Sequence, residues 1–333
     1  MSEAAVAHVR GLARGGPIDP AWRVTVHFHP DRLVGETPIL RVMAADGRYR
    51  SQFETGTSNG LVSCHPGGDR WRWESRLFGG VYDGEPPAAR PVYGSLNHRR
   101  RAAGGSPRFG SAHLRLTAAS LERTTFCYPD SVFEPVDVGT ADRCALAGPA
   151  DADDKDCLDD YIEAHVHGGV HFARDAEALV LDPCFRGTEV EEDARLLGVP
   201  VEWHHGFRAR MTEIAANPGY RGPEIVDAAR AVSRDGVVDA RLVGEAVRDG
   251  LFDGQTLKRV WHCTARFGRP AAADVRLAPG TVAAADVRPV PGTVAAADVQ
   301  PVPGTVAAAD VRPVPRTADG VDTRDNDRSG RGR

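Results

Sequence analysis

The chain has 333 residues, 41% hydrophobic and 26% charged, with a formal net charge of −5. That balance fits a globular protein of one large domain or two small ones, and it lacks the strongly basic character of a dedicated nucleic-acid binder. No run approaches the roughly 18 apolar residues that span a bilayer, and the opening MSEAAVAHVRGLARGG has no apolar core of signal-peptide length. A soluble, cytoplasmic protein with no membrane partner is expected.

Residues 1–20 read as an N-terminal arm, with a short helix over 4–14. Residues 22–29 alternate apolar and polar side chains, the period of a strand. TPILRVMAADG (37–47) reads as a short helix stopped by Gly47. RYRSQFETGTSNG (48–60) reads as a strand running into a loop, and the polar stretch 61–110 shows no clear strand–helix pattern. GSAHLRLT (110–117) alternates as a half-buried strand, 161–167 is another, ARDAEALVLD (173–182) reads as a helix and VPVEWH (199–204) as a strand. GPEIVDAARAVS, VDARLVGEAVRDG and GQTLKRVWHCTARFG close the folded part as helices; the last carries a core stripe of Leu257, Val260, Trp261 and Thr264, with His262 off it. From Ala271 a 12-residue Ala/Val/Pro repeat begins, with too little apolar surface to offset its ordering entropy. The expected organisation is an α+β domain over 21–268 followed by a disordered tail over 269–333.

The six cysteines are scattered without a Cys-x-x-Cys pair, so free and mostly buried thiols are expected rather than a zinc ribbon. NHRRRAAGGSPR (97–108) reads as a solvated basic loop, with phosphate attraction as the alternative.

Two strands concentrate polar chemistry. Strand alternation puts Arg23, Thr25, His27 and His29 on one face of 22–29, and Tyr161, Glu163, His165 and His167 on one face of 161–167. The plain expectation is that both polar faces meet solvent, as in a half-exposed antiparallel sheet. Two sharper expectations compete with it. The pairs His27/His29 and His165/His167 could ligate a metal ion in a hydrolase. Alternatively, Glu163 could stabilise the positive charge that develops on a ribose when an N-glycosidic bond breaks.

The stretches HPDRLVGETPILRVMAADGRYRSQFETGTSNG and YIEAHVHGGVHFARDAEALV resemble the opening and the late strand of ADP-ribosyltransferase domains. The resemblance implies an ADP-ribosyltransferase-like mixed sheet followed by C-terminal helices. It implies NAD as substrate, with no metal expected, and an acceptor that is a protein, a nucleic acid or a small molecule. Glu163 would be the catalytic carboxylate, and His29 or His27 the ribose contact. Tyr49 or Phe53 would stack on nicotinamide, and Ser51, Thr55, Thr57 and Ser58 would shape the pocket. From about residue 20 to 268 the chain also resembles an uncharacterised bacterial domain family. A non-catalytic binding module remains the third expectation.

Overall fold

The computed structural model describes residues 2–56 and 63–269. The 12-residue repeats, Thr57 and Ser58 lie outside them. In chain order the elements are α1 (Ser2–Leu12), β1 (Val24–Phe28), β2 (Leu33–Val34), β3 (Thr37–Pro38), α2 (Ile39–Asp46), β4 (Arg48–Tyr49), α3 (Gln52–Thr55), α4 (Asp69–Leu77), β5 (Val92–Leu96), β6 (Ala112–Leu116), β7 (Thr124–Cys127) and β8 (Val138–Thr140). They continue with α5 (Ala147–Ala152), β9 (Ile162–Val166), β10 (Val170–His171), α6 (Phe172–Asp175), β11 (Ala176–Leu181), α7 (Glu189–Arg195), β12 (Val201–Trp203), β13 (Arg208–Arg210), α8 (Met211–Ala215), α9 (Pro223–Val232), β14 (Val237–Asp239), α10 (Ala240–Arg248) and α11 (Gly254–Phe267).

A mixed eight-stranded sheet in the order β12-β11-β6-β1-β5-β9-β7-β8 organises the molecule. Its pairs are antiparallel except β11 with β12. One face is apolar: Val24, Val26, Phe28, Leu96, Leu114, Phe126, Ile162, Ala164, Val166, Leu179 and Leu181 form a continuous core with Leu40 and Met43 of α2. The other face carries Thr25, His27, Tyr93, Ser95, His113, Thr125, Cys127, Glu163 and His165 in adjoining registers.

That polar face is not solvated. Thr25, Ser95, Thr125 and His165 have no exposed surface, and His27, His113 and Glu163 are buried. Two layers cover it. Over β9, β7 and β8 lies a cluster of Ala5 and Val9 from α1, Trp73 and Leu77 from α4, and Phe78 and Tyr82. Toward β1 and β6 lie the loop 103–110 and the C-terminal helices, whose separate core is built on Phe207, Ile225, Val243, Leu257 and Trp261. Trp261 Nε1 donates to Pro107 O at 3.0 Å and ties α11 to that loop. Gly104 permits the close approach: at φ +81°, a Cβ there would lie 2.4 Å from His27 Nε2.

The expected helix at 173–182 is instead one helical turn followed by β11. The run AEALVL pairs with β6 on one side and β12 on the other, and the tertiary partners override a helix-compatible local pattern. The stretch 61–110 holds a central strand, β5, hidden from periodicity by Gly94 and Ser95. After the two-residue β4, a capped turn of helix replaces the expected loop: Ser51 accepts from Glu54 N, and the Glu54 carboxylate accepts from Ser51 N. The helix expected over 37–47 is α2, closed by Gly47 in the left-handed region, and the helix expected over 4–14 is α1, which runs from Ser2 to Leu12. His262 is buried despite lying off the stripe of α11, because the loop side of the helix is covered too.

The C-terminal helices also grip the segment after β1. The carboxylate of buried Asp31 lies on α10 at Gly244, 1.4 Å from where a Cβ would sit, and Arg248 Nη1 donates to Asp31 O at 3.1 Å. Gly244→Ala is expected to lower the unfolding free energy by about 3 kcal/mol, the upper range for overpacking. Gly148→Ala has open space around the new Cβ and is expected to be neutral or stabilising by up to about 1 kcal/mol. Urea unfolding compares the two, and adding Asp31→Ala to Gly244→Ala recovers part of the loss if the overlap is its cause.

Candidate functional site

Register brings the site together. Glu163 on β9 sits opposite Ser95 on β5 and Cys127 on β7; one row along, His165 sits opposite Tyr93 and Thr125. Glu163 Oε1 is 3.0 Å from His165 Nε2, and its Oε2 accepts from Ser131 Oγ at 3.1 Å. Arg70 of α4 donates to Ser131 Oγ at 2.9 Å, and its Nη1 lies 4.0 Å from Glu163 Oε1. The Arg70 guanidinium stacks on the Tyr93 ring at 4.2 Å. Tyr93 in turn donates to Glu74 Oε1 at 3.0 Å, and Arg90 donates to Glu74 Oε2 at 2.6 Å. The Arg90 guanidinium covers the Phe53 ring at 4.2 Å.

A second branch leaves Glu163 through the histidines. Thr125 Oγ1 lies 3.2 Å from His165 Nδ1 and 3.0 Å from His167 Nε2, and Tyr82 Oη lies 2.8 Å from His167 Nδ1. With Glu163 ionised and both imidazoles neutral, one assignment of protons satisfies every contact. Tyr82 donates to His167 Nδ1, His167 Nε2–H to Thr125, Thr125 to His165 Nδ1, and His165 Nε2–H to Glu163. The four residues thus form a chain of donors running one way, ending on the carboxylate.

Burial alone would raise the Glu163 carboxyl, but His165, Arg70 and Ser131 overturn it and hold the group below the usual glutamate range. Burial is the main cause that lowers His167 to about 3, with Arg123 adding to it. Burial pushes Glu74 up to about 7 in spite of Arg90, Tyr93 and Arg70. Burial and the nearby Glu163 carboxylate raise the Cys127 thiol.

The residues expected from sequence fall into separate places. His27 lies on the same sheet face as Glu163, two strands away. Its Nδ1 bonds Gly110 O at 3.2 Å, its Nε2 accepts from Ser106 N at 3.3 Å, and its ring lies 5.0 Å from that of His113. His29 follows β1 and meets Trp261 edge-on at 5.1 Å. Tyr49 is on the apolar side, packed on Phe28 at 5.9 Å and paired with Val170, not beside Glu163. Ser51 caps α3 and donates to Pro87 O at 2.7 Å; Thr55 closes the same turn on Ser51 O and Gln52 O. Phe53 is linked to Glu163 through Arg90, Glu74, Tyr93 and Arg70.

The two His-x-His pairs do not converge. β5 lies between β1 and β9, which sets the pairs about 10 Å apart at ordinary strand spacing. A different trio, Cys127, Glu163 and His165, places its ligand atoms within 4.8 Å of one another and could hold an ion. The Arg70 guanidinium beside the same carboxylate already supplies positive charge there. The basic loop is not a free cationic surface: Arg99 and Arg101 pair with Asp160, and Arg108 pairs with Asp159. Arg70, Glu74, Tyr93, Arg90, Ser131 and Thr125 were not foreseen. Their partners are distant in sequence, and only the burial of the polar face makes them necessary.

Fold and site together define a mixed α+β protein whose large sheet encloses one polar face around a single ionised glutamate. The chain belongs to the DUF3626 family, described as proteins of unknown function, whose model matches residues 23–147 and 144–266. No curated protein matches the chain. Among the described residues no helix is long and apolar enough to cross a membrane.

Burial lowers His27, His167 and His262 from 6.5 to about 3 each. The unfolded chain takes up these protons below 6.5 and the fold does not. Their contribution is therefore complete above pH 6.5 and is lost as pH falls toward 3, by about 1.4 kcal/mol per pH unit for each histidine. Urea-unfolding free energies between about pH 5.5 and 4.5 are expected to fall at least this steeply, because His29, His98, His113 and His204 are lowered in the same direction. His167→Gln is expected to remove one histidine's share of it; an unchanged slope would mean that His167 is protonated in the fold.

Proposed function

We propose that this protein binds NAD and breaks its nicotinamide–ribose bond, passing ADP-ribose to a protein, nucleic-acid or small-molecule acceptor, or to water. The observation that carries the reading is Glu163: a buried carboxylate held ionised by His165, Arg70 and Ser131, on the sheet face that also carries His27. The resemblance of the two strand regions to ADP-ribosyltransferase domains supports the same choice.

As the glycosidic bond breaks, its electron pair leaves with nicotinamide and positive charge develops on the ribose. A fixed carboxylate in a water-poor site stabilises that charge without reorganising. The incoming hydroxyl then bonds the ribose carbon, and its proton passes to the Glu163 carboxylate. His165 and Ser131 position the carboxylate; they are not assigned contact with substrate. On this reading, entry of the ribose displaces the loop 103–106, because Ser106 N–H now occupies His27 Nε2.

The test is nicotinamide release from labelled NAD by the full chain, alone and with cell lysate as a source of acceptor. Wild type is expected to release nicotinamide, and Glu163→Gln to do so roughly 10²–10³-fold more slowly. Full activity in Glu163→Gln removes that residue from the mechanism, and no release by wild type in either condition sinks the NAD reading.

A further inference from the structure

A group of cations beside the loop 103–110 has no part in the site above. Arg108 comes from that loop, Arg221 from the segment ahead of α9, and Lys258 from the second turn of α11. They gather around His262, which is 4% exposed. One carboxylate, Asp159, serves both guanidiniums: Arg108 pairs with it closely, and Arg221 Nη2 lies 3.7 Å from it. Arg259 is also near but pairs with Glu224 at 3.1 Å.

Arg108 Nε, Arg221 Nε and His262 Nε2 are all buried, and none has a hydrogen-bond partner among the described residues. Each unmet buried polar group costs about 1–3 kcal/mol, so three in one place call for an acceptor. Gathering like charges has a cost as well. The neighbouring guanidiniums add to burial in lowering Lys258, and together with Lys258 they do the same to His262. An anion would relieve both costs. Guanidinium groups suit a phosphoryl oxygen because they offer parallel N–H bonds at fixed spacing.

We infer that Arg108, Arg221 and Lys258, around His262, form a binding site for a phosphate or diphosphate group. The site stands without the NAD reading. If that reading holds, the diphosphate of the dinucleotide is the natural occupant: Phe109 packs edge-on against Tyr161 at 5.4 Å, and Tyr161 is two residues from Glu163.

The experiment is isothermal titration of the full-length protein with inorganic pyrophosphate, inorganic phosphate and ADP-ribose. Pyrophosphate is expected to bind wild type, and Arg221→Gln and Lys258→Met are each expected to weaken it at least 10-fold. Arg234→Gln, in the separate arginine cleft beside β14, is expected to leave it unchanged. Thermal melts verify that each variant is folded, and Lys258→Met leaves the Asp159 pairs intact. Absence of pyrophosphate binding to wild type overturns the site, as does binding by both Arg221→Gln and Lys258→Met at wild-type strength. ADP-ribose competing with pyrophosphate supports a dinucleotide as the source of the anion; competition by phosphate alone supports a free anion. Glu163→Gln is expected to bind pyrophosphate as wild type does. Pyrophosphate binding that follows Arg221 and Lys258, with no NAD cleavage, would therefore remove the NAD reading and leave the anion site standing.

Discussion

The structure depends on one constraint: a sheet with an alternating sequence is covered on both faces. An alternating strand ordinarily leaves its polar side chains in water. Here α1 and α4 close over half of the polar face, while the loop 103–110 and the C-terminal helices close over the rest. The hydroxyls, imidazoles and carboxylates on that face then depend on partners inside the protein, and nearly all have one, His113 Nδ1 being an exception among the described residues. The positions of Arg70, Arg90 and Ser131 follow from the need to match Glu163 and Glu74.

Such a network is a poor way to gain stability. Burying an ion pair such as Arg90–Glu74, with side chains 3% and 0% exposed, removes two charges from water, and their attraction barely offsets that loss. An apolar face of equal volume would hold the layers together at least as well. The polar face therefore needs a reason other than cohesion. Its chemistry supplies one, because it holds a carboxylate ionised in a place where burial alone would protonate it.

Local signals were legible where the partner is local. The alternation of 22–29 and 161–167 identified two central strands and the face that each residue takes. The three closing helices were read from their own segments; the structure adds their caps, Asp239 accepting from Leu242 N and Asp253 from Gln255 N and Thr256 N. Non-local pairing was not legible. AEALVL became a strand only because β6 and β12 flank it. The strand holding Gly94 and Ser95 lacks an apolar run yet sits near the middle of the sheet. Solvation of the polar face could not be inferred either, since nothing in a strand's own sequence reports what lies above it. Glu163 stood out as the lone carboxylate among histidines, but Arg70 and Ser131 reach it from 93 and 32 positions away in the chain.

The donor chain from Tyr82 to Glu163 sharpens what the site can do. His167, Thr125 and His165 each give one proton and accept one, so with Glu163 ionised both imidazoles are held in a single tautomer and orientation. His165 offers Glu163 a hydrogen bond, while the Arg70 guanidinium stands 4.0 Å from it. A carboxylate has about four acceptor sites. His165 takes one and Ser131 another, with Cys127 making only a long contact at 4.0 Å. Arg70 of α4 and Ser131 reach the carboxylate from outside the sheet. A ligand hydroxyl that reached Glu163 would therefore meet an oxygen whose position His165 and Ser131 already fix.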